Sequence, residues 1–211
     1  MKGKSSDTCY ACDQPATTRE HAPPRSFFPQ GYRTNLITVP SCEVHNNDNS
    51  KDVEYTRNVI SVSNGVNRVG DEHFLDKGVA SLEHTPALLY ATFSDIRPIM
   101  VDGVEVGAYT MDVDRVKNVM NACLCALNFR ETGKKIPTWE VVLPNLGLQN
   151  ATPEEIKVWQ EAFGIFLQVP YQARTTGSPD VFQYAVGKVE GGHVYAMRFY
   201  RGFDVYGAAP E

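Results

Sequence analysis

Two residue pairs near the N-terminus have the spacing of metal ligands. Cys9 and Cys12 are separated by two residues, and Cys42 and His45 repeat the same spacing. Three thiolates and one imidazole are the ligand set of a closed, tetrahedral structural zinc site. The alternative is four unrelated residues, with the cysteines packed as small apolar side chains. Because the spacing occurs twice in a segment with few long apolar runs, we predict that these residues bind zinc.

Glu20 and His21 lie side by side between those two pairs, shortly before Pro23-Pro24. Adjacent residues on a strand point to opposite faces, so a simple ion pair between them is not expected. The alternative is an ordinary exposed pair, which is the usual situation of charged neighbours. Carboxylate and imidazole are nevertheless the groups that bind hard cations and transfer protons near pH 7.

The residues after Cys42 form a polar stripe if they are helical. Cys42, His45, Asn46 and Asn49 follow one another at the spacing of a single helical face. Such a face carries metal-binding and hydrogen-bonding groups rather than a hydrophobic seam. Taken alone, the two asparagines are more simply interpreted as part of a polar surface.

Short elements must position these side chains. The sequence predicts one strand over residues 17–22 and a second over 35–40, joined by a loop rich in Pro and Gly. A helix is then expected over residues 41–60. Ser41 is its predicted N-cap, and Pro40 is expected to close the preceding strand.

Composition and charge exclude several classes of protein. The 211 residues carry a net charge of −5, which argues against a general nucleic-acid coat. Residues 1–57 hold seven basic and seven acidic side chains, so a polyanion site is expected in this quarter of the chain. There is no apolar run long enough for a membrane span and no secretory signal, so we expect a cytoplasmic protein with reduced thiols and no membrane partner.

The rest of the chain predicts a mixture of helices and antiparallel strands. Apolar residues recur at helical spacing over residues 112–133, and Thr152–Glu155 forms a capping box before a second helix. Asp102-Gly103 predicts a hairpin turn, and alternation toward the C-terminus predicts two or three strands that turn at Gly191-Gly192. Cys123 and Cys125 lie within the helix predicted over residues 112–133. Residues two apart on a helix do not face each other, so we expect these cysteines to pack in the core rather than to form a redox pair.

The N-terminal quarter resembles the HNH endonuclease family, in the branch where a zinc knuckle braces the ββα-metal fold. The resemblance covers residues 9 to about 57 and depends on several elements in order. One departure is His45, because cysteine is common at this fourth zinc position, although zinc accepts either ligand. The matching elements are Cys9-x-x-Cys12, Glu20-His21-x-x-Pro24, Asn35-Leu36, Cys42-x-x-His45-Asn46 and Ser50-Lys51.

The resemblance implies a role for each matching residue. His21 would be the general base that activates water, and Glu20 would be an acidic ligand of a catalytic Mg²⁺ or Mn²⁺ ion. Asn46 would be the helix residue that helps to bind this ion. Asn35 would hold the loop that orients the base. Phosphodiester hydrolysis requires these groups, because it needs a deprotonated water and positive charge beside the phosphate.

Four basic side chains near these motifs could contact phosphate groups of the nucleic-acid backbone. Such contacts position a duplex without distinguishing its sequence. The alternative for each of them is solvated surface charge. The four residues are Arg25, Arg33, Lys51 and Arg57.

Together these features predict an α+β protein. Residues 1–58 are expected to form a zinc-stabilised, treble-clef ββα-metal module. Residues 59–211 are expected to form a mixed helix and antiparallel-strand region of unknown role, which could dimerise, bind a protein partner or contact substrate.

The predicted activity is that of a metal-dependent endonuclease acting on phosphodiester bonds, most simply in double-stranded DNA. By resemblance, such small nucleases belong to microbial or phage defence or DNA processing. The alternative is an inactive treble-clef zinc module that binds nucleic acid or a protein. A third reading places activity in the C-terminal region, where no group of residues supports it.

Overall fold

The computed structural model describes residues 8–47, 50–101, 103–144 and 152–210. The chain is a mixture of helices and antiparallel sheets, so the predicted α+β class is confirmed. Within the described ranges, no helix is both long and apolar enough to cross a bilayer. The helices are α1 (Glu43–Asn47), α2 (Ser50–Ser61), α3 (Arg68–His73), α4 (Val79–His84), α5 (Pro86–Phe93), α6 (Val113–Thr132) and α7 (Pro153–Gln168). The strands are β1 (Thr18–His21), β2 (Thr38–Ser41), β3 (Arg97–Val101), β4 (Val104–Ala108), β5 (Glu140–Val142), β6 (Gln172–Arg174), β7 (Phe182–Val189), β8 (Gly192–Phe199) and β9 (Phe203–Pro210).

Strands β1 and β2 form a two-stranded antiparallel sheet that pairs His21 with Thr38. The prediction that Pro40 ends the second strand is wrong, because Pro40 lies inside β2 opposite Arg19. Proline lacks an N–H but is tolerated on an edge strand, and both strands of a two-stranded sheet are edges. The Pro40 carbonyl accepts a hydrogen bond from the Tyr10 N–H at 2.8 Å, which attaches the first cysteine turn, the turn that carries Cys9 and Cys12, to β2.

The prediction that Ser41 is the N-cap of the following helix is also wrong. Ser41 ends β2, and its hydroxyl donates to the Cys42 carbonyl at 3.1 Å instead of accepting from the helix. Helix α1 begins at Glu43, and the Cys42 carbonyl accepts the Asn46 N–H at 3.1 Å. The helix predicted over 41–60 corresponds to α1 and α2. Asn49 and the junction between the two helices lie outside the described residues.

Helix α6 confirms the prediction made from its periodicity and its ends. The Asp112 carboxylate accepts the Arg115 N–H at 3.3 Å, which satisfies a free donor of the first turn. Gly133 ends the helix with φ +72°, a left-handed conformation that glycine adopts without steric cost. The face with helical spacing is buried as expected and consists of Val116, Met120, Cys123 and Leu127.

The C-terminal strands form a five-stranded antiparallel sheet in the order β5-β9-β8-β7-β6. The predicted turn at Gly191-Gly192 joins β7 to β8, and Gly191 has φ +73°. Strands β3 and β4 form a separate hairpin with Gly103 in its turn, while Asp102 lies outside the described residues. Helix α7 begins at Pro153, the position that the capping box predicts.

One hydrophobic core extends from the N-terminal hairpin to the C-terminal sheet. The expected boundary between residues 58 and 59 lies inside α2, and α2 packs against α6. Lys135, which follows α6, also holds the first cysteine turn, donating to the Cys12 carbonyl at 2.7 Å and to Asp13 at 2.9 Å. The two predicted regions therefore share their packing, and α6 lies beside the residues with metal-binding spacing.

Candidate metal centre and active-site cleft

Cys9, Cys12, Cys42 and His45 form one cluster whose ligand atoms all lie within 4.8 Å of one another. The Cys42 sulfur is 3.2 Å from His45 Nδ1, and the Cys12 and Cys42 sulfurs are 3.9 Å apart. Ligands bound tetrahedrally at zinc–ligand distances of about 2.0–2.3 Å lie about 3.5–3.8 Å from each other. The cluster therefore has close to the size that a tetrahedral zinc ion requires. The expectation that these four residues come together is confirmed, and their cluster could hold a metal ion such as zinc.

Two local structures bring the cluster together. Cys9 and Cys12 lie on a tight turn, in which the Cys9 N–H donates to the Gln14 carbonyl at 2.9 Å. Cys42 and His45 lie at the start of α1, where residues three apart share a face. The β1–β2 hairpin carries both structures, so its pairing brings the two ligand pairs together.

The electrostatic environment of Cys9 favours metal binding. Burial by itself raises the pKa of the Cys9 thiol. Hydrogen bonds from surrounding backbone N–H groups, with that of Ala11 foremost, outweigh burial and lower the pKa to about 6. These hydrogen bonds therefore favour the thiolate of Cys9, which is the form that binds zinc.

A cleft of about 360 Å³ adjoins the cluster. Glu20, His21 and Asn46 all line it, so the structure brings together three of the four residues predicted to act in catalysis. His21 is the last residue of β1, which lets it share the cleft with Glu20 although they are neighbours on a strand. The full lining consists of Tyr10, Glu20, His21, Pro24, Ser26, His45, Asn46, Ser50, Val53, Glu54, Arg57, Val119, Ala122, Cys123 and Ala126.

The fourth predicted catalytic residue lies outside the cleft lining. Asn35 is exposed in the loop before β2 and has φ +52°, a conformation that asparagine tolerates better than most residues. Its side chain makes no hydrogen bond with the residues that the structure describes. Its role in holding the loop stays a prediction.

Of the four basic residues predicted to contact phosphate, Arg57 lines the cleft. Arg25 and Lys51 are exposed, and neither is among the described residues that line it. The Arg33 guanidinium instead donates through Nε to the Phe28 carbonyl at 2.9 Å, which stabilises the loop between β1 and β2.

Burial shifts the pKa values of the two central groups. It raises the pKa of Glu20 to about 7. It lowers the pKa of His21, and the positive charges of Arg25 and Arg19 lower it further. Without a bound cation, both groups are therefore held toward their neutral forms near pH 7.

Several cleft residues have no counterpart in the sequence predictions. Glu54 follows Asn46 and Ser50 at intervals of four residues, so extending the predicted polar face would have found it. Ser26 lies in a loop with no periodic signal. Part of the lining comes from α6, whose small and apolar residues carry no chemical motif. These wall residues are Val119, Ala122, Cys123 and Ala126.

Comparisons of this chain with known protein families, curated proteins and solved structures find no significant match. The resemblance to HNH endonucleases therefore depends on the ordered motif residues alone. Function is inferred from the chemistry of the cluster and of the cleft.

Proposed function

We propose that the protein is a metal-dependent endonuclease of the HNH type that hydrolyses phosphodiester bonds in double-stranded DNA. The observation that carries this proposal is the convergence of Glu20, His21 and Asn46 on one cleft beside the Cys/His cluster. These are the side chains to which the family resemblance assigns the base and the ligands of the catalytic ion. The reaction requires the general base and the ligands of the ion to lie in the same cleft.

The zinc ion is structural in this proposal. Cys9, Cys12, Cys42 and His45 would fill the tetrahedral coordination of zinc, which would leave no open position for water or substrate. By joining the first cysteine turn to α1, it would brace the β1–β2 hairpin as a treble clef and complete a ββα-metal module. The reacting groups then belong to the adjoining cleft.

The cleft has a donor set that fits a second, hard divalent ion. Glu20 and Asn46 offer a carboxylate and an amide oxygen, and Ser50 and Glu54 on α2 place two more oxygen-bearing side chains in the lining. Mg²⁺ and Mn²⁺ prefer such oxygen ligands. When bound, the ion supplies positive charge where the phosphate becomes more negative.

His21 provides the proton acceptor. Its lowered pKa keeps the imidazole neutral at pH 7, so a ring nitrogen can accept a proton from the attacking water. The water oxygen forms a bond to phosphorus as the bond to the 3′-oxygen breaks. The 3′-oxygen takes a proton from solvent, and the products carry a 5′-phosphate and a 3′-hydroxyl.

Cleavage of supercoiled plasmid tests the proposal. Wild-type protein with Mg²⁺ or Mn²⁺ is expected to produce nicked or linear DNA, EDTA should stop the reaction, and excess divalent ion should restore it. His21→Ala should slow cleavage by about 10²–10⁴-fold, the usual contribution of general base catalysis. His84→Ala is the matched control, because His84 is exposed at the end of α4 and absent from the described cleft lining.

The same experiment separates the nuclease from a zinc module that only binds. His21→Ala should keep one zinc per chain and the wild-type unfolding temperature. Absence of cleavage by pure wild-type protein with either ion, or equal cleavage by His21→Ala, would favour the binding module.

A further inference from the structure

The proposed reaction leaves one buried positive charge in the cleft without a role. The Arg57 side chain is 11% exposed and belongs to the cleft lining. Its Nε and Nη2 atoms donate to the Asn58 side-chain oxygen at 3.2 and 2.9 Å. Its Nη1 group makes no hydrogen bond with the residues that the structure describes.

The charge of Arg57 is only partly balanced. Glu54 approaches it to 3.7 Å, which is too long for a hydrogen bond, and the Glu54 side chain is 38% exposed. Arginine keeps its charge in proteins, and a buried charge is costly unless it is paired and hydrogen-bonded. An anion entering the cleft would therefore gain a strong partner at this wall.

A second residue holds the guanidinium in place. Asn58 is fully buried, and while its oxygen accepts from Arg57, its amide donates to the Ser81 hydroxyl at 3.3 Å. This series of hydrogen bonds connects Arg57 to Ser81 on α4 and restricts rotation of the guanidinium. A donor that is already oriented loses little conformational entropy when a ligand binds.

Ser26 supplies an independent observation on the same cleft. Ser26 belongs to the cleft lining, and its hydroxyl oxygen is buried with no hydrogen-bond partner among the described residues. The Ser26 carbonyl is hydrogen-bonded to His73 Nε2 at 2.9 Å, which fixes the turn that carries this hydroxyl. A buried hydroxyl without a partner is unfavourable, so a ligand oxygen that reached it would satisfy it.

We propose that Ser26 and Arg57 form a phosphate-binding subsite inside the cleft, which holds a non-bridging phosphate oxygen of the strand being cut. This inference rests on the proposed endonuclease function and gives Arg57 a role different from a surface contact to the backbone. The guanidinium provides charge and paired donors, and the hydroxyl provides one further donor. Because both groups are already in place, they stabilise the negative charge that grows on the phosphate during hydrolysis.

Kinetics on a short duplex test the role in hydrolysis. Arg57→Lys should lower kcat by about 10–100-fold with a much smaller change in KM, because the lost donors act on charge that grows in the transition state. Ser26→Ala should lower kcat by about 3–10-fold, because one hydrogen bond of ordinary strength to the phosphate is lost. Arg68→Ala is the control, because the Arg68 side chain is 88% exposed and is not part of the described cleft lining, so its kcat should match that of the wild type.

Binding of inorganic phosphate tests the subsite without catalysis. In the absence of divalent ions and at constant ionic strength, replacing chloride by phosphate should raise the unfolding temperature of the wild type by a few degrees. The rise should be smaller for Ser26→Ala and for Arg57→Lys, and unchanged for Arg68→Ala. Circular dichroism of each variant first establishes that it is folded.

The outcomes separate the two proposals. Equal phosphate effects in wild type and both variants, or an unchanged kcat in folded Arg57→Lys, would overturn the subsite. A wild type that cuts no DNA but shows a phosphate effect dependent on Ser26 and Arg57 would support the subsite and contradict the endonuclease.

Discussion

Glu20 and His21 line the same cleft, and burial disfavours the charged form of both side chains. It raises the pKa of the carboxylic acid to about 7 and lowers the pKa of the imidazole, so each is pushed toward its neutral form. For His21 this is the form that accepts a proton. For Glu20 a bound divalent ion would offset the cost of ionisation, so the carboxylate is stable where it has a cation to hold.

Glu20→Gln removes the negative charge of the proposed metal ligand. Removing the charge should raise the Mg²⁺ concentration for half-maximal cleavage by at least about tenfold, because an anionic ligand is lost. Cleavage rates over a Mg²⁺ titration measure this shift. Zinc content should stay at one per chain, since Glu20 is not part of the Cys/His cluster.

Glu43→Gln is the matched control for that titration. Glu43 is exposed at the start of α1 and lies outside the described cleft lining. Its Mg²⁺ dependence should equal that of the wild type. An unchanged titration for Glu20→Gln itself would mean that the carboxylate does not bind the ion.

At the scale of elements, α6 connects the cleft to the C-terminal sheet. One part of it forms the apolar cleft wall, and Glu131 in its last turn binds Arg174 at 2.7 Å and the Tyr184 hydroxyl at 2.8 Å. Burial raises the pKa of Glu131, but the hydrogen bonds from Arg174 and Tyr184 outweigh it and hold the pKa below its ordinary value. These contacts attach the helix to β6 and β7.

This depressed pKa predicts a pH-dependent contribution to stability. Unfolded glutamate titrates near about pH 4.3, so the stabilisation by Glu131 is present above that pH and is lost as pH falls through the lower pKa of the folded state. Glu131→Gln should lower the unfolding free energy by about 1–2 kcal/mol at pH 7. The difference from wild type should shrink below about pH 4, as urea unfolding at several pH values can measure.

Glu161→Gln provides the comparison for Glu131→Gln. Glu161 lies 3.9 Å from Lys157 in an exposed pair on α7, so its loss should cost no more than about 0.5 kcal/mol. A stability difference for Glu131→Gln that stays constant from pH 7 to acid would contradict the proposed ionic contribution.

In the molecule as a whole, the Cys/His cluster and the hydrophobic core are packed together. Cys9 and Cys42 are buried members of the core that continues through α6 into the C-terminal sheet. Lys135, which is distant in sequence, donates to the Cys12 carbonyl in the first cysteine turn. Loss of zinc should therefore destabilise the whole protein and not only its N-terminal quarter.

Cys42→Ser tests this coupling. The variant should contain much less than one zinc per chain, and its unfolding temperature should fall in a single cooperative transition, because structural zinc contributes directly to folding. Metal analysis and thermal unfolding measure the two effects. Cys123→Ser is the control, since its buried thiol lies outside the cluster and zinc content should remain at one per chain. Two separate transitions in Cys42→Ser would contradict the shared core.

The outer surface adds one feature that bears on partners. Large apolar side chains are exposed between residues 75 and 104, among them Leu75, Tyr90 and Met100. Exposed apolar surface is typical of interaction sites when it is contiguous. A homodimer or a protein partner for residues 59–211 stays a prediction.

Local patterns were sufficient for the metal ligands and for several elements. The repeated two-residue spacing predicted the Cys/His cluster, because a turn and the first turn of a helix each present residues three apart to one point. The ends and the periodicity of α6 were also readable, since capping and helical burial depend on neighbouring residues. The predicted strand end at Pro40 and the predicted N-cap at Ser41 were each wrong by one residue, because hairpin pairing between distant segments extended β2 to Ser41.

The cleft depended on contacts between distant segments. Alternation and periodicity show that a side chain is buried but do not identify what it packs against, so no local signal placed the α6 wall in the same cleft as Glu20 and His21. Arg57 resembled any surface cation in the sequence, and only the packing of distant segments around α2 buried it beside the cleft. The spacing of metal ligands and the periodicity of a helix are properties of residues that are close in sequence. A cleft and the balance of charges in it arise only when segments distant in sequence pack together and exclude water from the groups between them.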